Sequence, residues 1–318
     1  MLYFKYYKGG KDMKMKKILG AVATLSMVCL TVSTAFAATP VYQYGFDGDL
    51  GGATVVTRSD ATPEMPAADS SVAPQYVEGK YGQAINLDGT YGLQLPVKEI
   101  GKDYTISFWV KPARFSDFSP FLVLGSNFLD DTKANWVSIT KSSWVGDTSP
   151  TVWSRNAALA AWPWCDATDA EMIPKDEWTH IAIVVDSSVD TSADEANTVG
   201  CSIYVNGELK KEGGHVAADA LVGDVMAFVG INPWDPVQKE VVDEIKIYNT
   251  VLTADEVKDA MNTPIADTAA TTDTAATTTD TAASTDVPKT GVVSSAIIFG
   301  LGAAVLGTGS VALKRKEK

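Results

Sequence analysis

Val199-Gly200-Cys201-Ser202-Ile203-Tyr204-Val205-Asn206-Gly207-Glu208-Leu209-Lys210-Lys211-Glu212 is the stretch that decides the fold. Asn206-Gly207 separates two runs of strand-forming residues, and that dipeptide tolerates the positive φ demanded at both centres of a tight antiparallel turn. Val199–Val205 and Glu208–Glu212 are therefore read as a hairpin. Further candidate strands lie on either side: Val41–Phe46, Gln83–Leu87, Tyr91–Leu95, Tyr104–Lys111, Phe121–Leu124, Trp136–Thr140, Thr151–Ser154, Trp178–Asp186, Val225–Val229 and Val242–Tyr248. Asp88-Gly89 is a second, weaker hairpin signal. Short strands in this number, with no long helix between them, predict an all-β fold, an antiparallel two-sheet jelly-roll sandwich over residues 38–263. One helix is marked: Thr253 as N-cap, Glu256 completing a capping box, and Leu252 with Val257 as a hydrophobic staple.

The two ends read as processing signals. Lys14, Lys16 and Lys17 precede the apolar stretch Ile18–Val32, and Ala35-Phe36-Ala37 has the small-x-small form cut by signal peptidase. Residues 1–37 are expected to be an N-terminal signal peptide, cleaved between Ala37 and Ala38. At the other end Val287-Pro288-Lys289-Thr290-Gly291 is followed by the uncharged run Val292–Leu313 and by Lys314-Arg315-Lys316. As a helix that run rises about 33 Å, enough for a C-terminal transmembrane segment across a hydrocarbon core of about 30 Å. The order over 287–318 (motif VPKTG, apolar helix, basic tail) resembles a sortase sorting signal of Gram-positive bacteria. The resemblance implies cleavage between Thr290 and Gly291 and a covalent bond from Thr290 to peptidoglycan; Val287 departs from the usual Leu. Residues 264–286 are almost all Thr, Ala and Asp, too poor in apolar surface to offset chain entropy, and are expected to be a disordered linker. The expected location is the cell wall, reached by secretion, with a precursor held in the membrane by its C-terminal helix.

With both ends removed, residues 38–290 carry 16 Lys and Arg against 37 Asp and Glu, a net charge of about −21. Such a surface repels phosphate backbones, so nucleic acid is excluded as a partner. Cys165 and Cys201 are the two cysteines left, and the sequence leaves open whether they pair. His180 and His215 are the only histidines, which rules out a multi-histidine metal site.

Six blocks occur in a telling order: Tyr44-Gly45-Phe46-Asp47-Gly48, Gly82–Gly89, Tyr104–Pro112, Glu177-Trp178-Thr179-His180-Ile181-Ala182, Ile203–Gly207 and Asp243–Asn249. Over residues 42–258 the chain resembles bacterial laminin-G-like domains of the concanavalin A-like lectin and glucanase superfamily. That resemblance implies the sandwich but not a ligand, since the superfamily holds lectins, carbohydrate-binding modules, hydrolases and protein-binding modules.

Its glucanases resemble one another in a strand bearing Glu-x-Asp-x-Glu, two carboxylates on one face at the spacing a retaining mechanism needs. The triplet is missing here. Asp166, Asp169 and Glu171 read as a solvated acidic loop, Asp243 and Glu244 alternate onto opposite faces of a strand, and His180 reads as a core histidine. The expectation is a protein that is not an enzyme. Binding is better supported: aromatic faces stack on the C–H faces of sugar rings while neighbouring polar groups bond the hydroxyls. Trp109 and Trp178 fall in strand blocks and are expected in the core. Trp144, Trp153, Trp162, Trp164 and Trp234 fall in or beside loops, with Arg155 and Asn156 next to Trp153, and these seven are the candidate ligand residues. The expected partner is a polysaccharide or glycoconjugate; the alternative is a protein-binding adhesin or scaffold module, with a glycan hydrolase third. Aromatics gathered in a concave groove favour glycan, a flat apolar rim favours protein. Finally, Asp47 and Asp243 are candidate ligands of a structural calcium if the terminal strands are neighbours, as the resemblance implies.

Overall fold

In the computed structural model, which describes residues 38–59, 63–141, 148–159, 162–167 and 172–266, Asn206 and Gly207 take φ of 51° and 76°, the left-handed pair that closes a two-residue hairpin. In chain order the strands are β1 (Tyr42–Tyr44), β2 (Thr54–Thr57), β3 (Ala67–Ala68), β4 (Tyr76–Glu78), β5 (Gln83–Asp88), β6 (Gly92–Leu95), β7 (Tyr104–Pro112), β8 (Pro120–Ser126), β9 (Asn135–Lys141), β10 (Pro150–Arg155), β11 (Trp164–Asp166), β12 (Thr179–Asp190), β13 (Thr198–Val205), β14 (Glu208–Ala217), β15 (Met226–Val229) and β16 (Lys239–Tyr248), followed by helix α1 (Ala254–Asn262). They form two eight-stranded sheets in which every pairing is antiparallel. Sheet A runs β14-β13-β12-β7-β16-β5-β4, with β1 also on β16; sheet B runs β11-β10-β9-β8-β15-β6-β2-β3. The all-β two-sheet sandwich is therefore observed.

Alternation along each strand decides what each face meets. On β7, Tyr104, Ile106, Phe108 and Val110 enter the core between the sheets, where they join Leu122 and Leu124 of β8 and Ile181 and Ile183 of β12. Thr105, Ser107 and Trp109 point the other way, onto the outer face of sheet A, and are buried there as well. The cover is α1 with the segments around it: Leu252, Val257 and Ala260 pack on Ala182, Val184, Tyr204 and Tyr248. The capping box forms as read: the Thr253 hydroxyl accepts from the Glu256 N–H, while Glu256 Oε2 accepts from the Thr253 N–H at 2.8 Å. His180 is buried on this face, its Nε2 2.8 Å from Ser107 Oγ, and burial lowers its pKa to about 3, so the ring is neutral.

Several expectations are corrected. Asp88-Gly89 does not close a hairpin: β5 pairs with β16 and β4, whereas β6 pairs with β2 and β15, so the turn carries the chain from sheet A to sheet B. The Asp88 carboxylate holds this crossing by accepting from the Thr90 N–H at 2.9 Å and its hydroxyl at 2.7 Å. Strands β2, β3, β4 and β11, each of four residues or fewer, are not among the strands read from the sequence. Asp166 belongs to β11, where Thr151 Oγ1 bonds its carboxylate; Asp169 and Glu171 lie outside the described residues. Trp178 precedes β12 and is half-exposed, with the Lys111 ammonium 5.5 Å from its ring. Trp109 is buried, but beneath α1 rather than between the sheets; its Nε1 donates to the Met261 carbonyl at 3.2 Å. Asp243 and Glu244 do not alternate. Asp243 lies opposite Trp109 and Lys246 opposite Ser107, so β16 carries one extra residue there, and Glu244 takes φ 55°. This bulge turns both carboxylates to the outer face between inward-facing Val242 and Ile245.

The expected signal peptide 1–37, Trp144, nearly all of the expected linker and the expected sorting signal with Thr290 and Gly291 lie outside the described residues. Among the described residues no helix is long and apolar enough to cross a membrane.

Candidate functional site

Among the described residues, no helix lies over the outer face of sheet B. Alternation sends Trp136, Ser138 and Thr140 of β9 and Trp153 and Arg155 of β10 to that face, and the register sets Trp153 opposite Ser138 and Arg155 opposite Trp136. Two loops raise walls around them. After β8 the chain turns at Asn127, φ 51°, and Asp130 fixes the turn by accepting from the Thr132 N–H at 3.0 Å and its hydroxyl at 2.6 Å. These bonds, with that from Lys133, lower the Asp130 pKa to about 2. The turn presents Phe128, Leu129 and Asp131. The second wall follows β15: Asn232 Oδ1 accepts from the N–H groups of Trp234 and Asp235 at 2.9 and 2.7 Å, and its Nδ2 donates to Asp235 Oδ2 at 2.7 Å.

Between the walls lies a cleft of about 550 Å³, lined by these residues together with Pro63, Phe118 and Trp162. Its floor and sides are two groups of inclined rings: Phe128 to Trp234 at 6.0 Å and Trp234 to Trp136 at 5.4 Å in one, and Phe118 to Trp153 at 5.8 Å in the other. Such tilted pairs at 4.5–7 Å are favourable, so the rings are held by one another before any ligand arrives. Polar groups stand between them. The Arg155 guanidinium is 5.9 Å from the Trp162 ring, and its Nη2 donates to the Asp131 carbonyl at 2.9 Å and lies 3.4 Å from its carboxylate. Burial raises the Asp235 pKa against the opposing pull of Asn232 and Arg58. The arrangement suits a neutral, ring-shaped ligand: faces for stacking, and donors and acceptors at the rim for hydroxyl groups.

Of the residues singled out from sequence, Trp153, Arg155, Trp162 and Trp234 line the cleft. Trp164 stands beside it, half-exposed, its ring tilted 35° to that of Trp153 with centroids 5.5 Å apart across the β10–β11 pair. Asn156 is turned away and buried, its amide donating to the Ala218 carbonyl at 2.8 Å and its oxygen accepting from the Ala158 N–H. Phe118, Phe128, Leu129, Asp131, Trp136, Asn232 and Asp235 were missed. Trp136 carried a usable signal: the period of two from Ser138 and Thr140 puts it on the face that Trp153 shares.

A second cluster sits on sheet A where β1, β16 and the turn before β5 meet. Asp47 Oδ1 accepts from the Gln83 N–H at 2.6 Å, and Asp243 Oδ2 accepts from the N–H groups of Lys80 and Tyr81 at 2.8 and 3.1 Å. A Cβ at Gly79 would come within 2.7 Å of Asp243 Oδ2, so only glycine lets the turn close on the carboxylate. Glu244 joins them, its Oε2 3.1 Å from the buried Lys246 ammonium. Burial, then the Glu244 charge, push the Asp243 pKa to about 7 against its hydrogen bonds, and burial likewise raises Glu244. Asp243 Oδ1 and Glu244 Oε1 are buried without a hydrogen-bond partner. Among the described residues no three His, Cys, Asp or Glu side chains make a metal-ligand set by themselves.

Comparison with curated protein sequences gave no match. Among solved structures, domain 4 of AbnA, a GH43 extracellular arabinanase from Geobacillus stearothermophilus in complex with arabinotriose, is 26% identical, with a TM-score of 0.51 over 71% of this chain and 99% of that one. The CBM40 of the Ruminococcus gnavus IT-sialidase, bound to α2,3-sialyllactose, shares 15% identity and a TM-score of 0.40 over 55% of this chain and 95% of that one. Residues 87–258, more than half of the sequence, match the laminin-G-like family of the concanavalin A-like lectin/glucanases superfamily, and the chain belongs to that family.

Proposed function

We propose that the protein is a carbohydrate-binding module that takes a neutral oligosaccharide in the cleft on the outer face of sheet B and does no covalent chemistry on it. The observation that carries this reading is the cleft itself, concave, ring-lined and left open beside an otherwise well-covered sandwich. Trp162, more than half exposed, provides a stacking face, and Trp234 and Trp153 extend it. Arg155, Asp131, Asn232 and Asp235 provide hydrogen bonds to hydroxyls. The similarity to an arabinotriose-bound arabinanase domain supports a sugar ligand. A protein partner is the second reading, and the concavity speaks against it, because a protein-docking face of this size is flatter. Absence of the Glu-x-Asp-x-Glu triplet supports binding without hydrolysis.

Calcium is proposed as a structural ion of the second cluster. Asp47, Asp243 and Glu244 are hard oxygen donors of the kind calcium takes, two of their buried oxygens lack partners, and turn carbonyls complete such sites in general. When bound, the ion would balance the carboxylate charge that burial disfavours at Asp243 and Glu244. The proposed setting is the exterior, with Thr290 joined to peptidoglycan; mass spectrometry of released wall fragments should find a peptide ending at Thr290, and intact Lys318 in wild-type membranes would sink that part. The binding reading is tested by a glycan array, on which it requires saturable retention of at least one neutral oligosaccharide.

A further inference from the structure

Two thiols face each other across the sandwich beside the cleft. Cys165 is the middle residue of β11, the edge strand of sheet B, and Cys201 lies in β13 of sheet A; both are buried in the core between the sheets and unbonded. Cys165 Sγ lies 3.7 Å from the Cys201 carbonyl, across 36 positions of sequence. The neighbouring Cys165 side chain, and then burial, push the Cys201 pKa well up. Gly214 stands opposite Cys201 on β14, and a Cβ there would fall 2.1 Å from Cys165 Sγ. The bare backbone at 214 is what admits the Cys165 side chain to its place over β13. A single buried cysteine is explained as a small apolar filler. Two on different sheets, the thiol of one against the backbone of the other and admitted by a glycine, call for more.

We propose that Cys165 and Cys201 are a disulfide site that staples sheet A to sheet B at the edge flanking the cleft. With a low-molecular-weight disulfide as oxidant, two S–H bonds and the oxidant's S–S bond break, the Cys165–Cys201 bond forms, and two small thiols leave with the hydrogens. The staple would anchor the aromatic wall: β11 carries Trp164 against Trp153, and the Pro163 carbonyl, just before β11, accepts from the Ser154 N–H and hydroxyl, both at 3.0 Å. Because both sulfurs are buried and exchange needs an accessible thiolate, the bond forms while the chain folds and resists reduction afterwards. The proposal stands apart from the sugar-binding reading and its failure leaves that reading untouched.

The test uses the full chain, refolded in detergent with a glutathione redox pair, then denatured, alkylated and digested for peptide mapping. The expected result is one cross-linked species joining the Cys165 and Cys201 peptides, two hydrogens lighter than their sum. Reducing it should lower the melting temperature by about 5–10 °C. Cys165→Ala and Cys201→Ala should show no such dependence on reductant. Recovery of the two peptides separately alkylated, or of either joined to Cys29, overturns the proposal, and mapping of the wild type decides it even if a variant fails to fold.

Discussion

The two outer faces of this sandwich are built alike and finished differently. Each sheet is eight strands, and each turns alternate side chains away from the shared core. On sheet A the chain covers its own work: α1 lies over Ala182, Val184 and Tyr204, and the Lys246 ammonium is buried, donating to the Ala260 carbonyl at 2.8 Å. On sheet B the corresponding layer of Val123, Phe128, Trp136 and Phe228 stops short, and Trp153, Trp162 and Trp234 are left half-covered. Exposed aromatic surface rimmed by polar groups is the kind of surface that interaction sites use, and this supports the proposed sugar site around Trp162. Identical residue types thus do opposite jobs: Trp109 closes the fold, Trp162 waits at its surface.

The largest effect is expected at Trp109, on the covered face. Trp109→Ala should cost about 3–5 kcal/mol of folding free energy by denaturant titration, with sugar affinity per folded molecule unchanged. A loss below about 1 kcal/mol would mean that the covered face is not structural. Next comes the carboxylate cluster. With no metal, Asp243 has its pKa raised from 3.8 to about 7, so the folded state holds a proton that the unfolded chain gives up. The sign follows: its contribution is present at low pH and is lost as pH climbs from about 4 to about 7, by roughly 2–4 kcal/mol. Calcium, which favours the ionised form, should abolish that loss, raising stability at pH 7 and little at pH 4. Melting curves with calcium and with chelator read both effects, and Asp243→Asn should flatten the difference; curves that coincide at pH 7 would remove calcium.

Smaller effects belong to the open face. Trp162→Ala should weaken oligosaccharide binding by about 1–3 kcal/mol, taking base–aromatic stacking as the analogue, and leave the melting temperature nearly unchanged. Trp164→Ala acts only through Trp153, and its loss of affinity should be the lesser of the two. Asn156→Ala should be smallest and of the opposite kind, about 1 kcal/mol of stability with no change in affinity, since its amide serves the Ala218 carbonyl.

The fold was legible where local chemistry is strong. Asn206-Gly207 and the Thr253–Glu256 box dictate their own geometry, and long apolar runs such as Tyr104–Pro112 declare strands buried on both faces. Asp88-Gly89 misled because a two-residue signal says that the chain turns, not which sheet receives it. Asp243 and Glu244 misled because a one-residue bulge is set by pairing with β7 and cancels the alternation that a single strand would show. The cleft was half legible. Tryptophans near loops could be named, yet Phe118 and Phe128 flank β8 while Asn232 follows β15 far along the chain, and only the pairing of β8 with β15 brings them together; Asn156 was counted by adjacency to Arg155 when the strand's end had already turned it inward.

The central claim is that the open face of sheet B binds a neutral glycan without cleaving it. Isothermal calorimetry of the 38–266 fragment against arabino-oligosaccharides, glucans and wall polysaccharides, with reducing ends assayed on the same samples, tests it most directly. The account predicts saturable one-site binding to at least one of them, no rise in reducing ends, and loss of the heat in Trp162→Ala at an unchanged melting temperature. Binding that survives both Trp162→Ala and Trp234→Ala, no binding to any of these glycans, or reducing ends accumulating with time would contradict it.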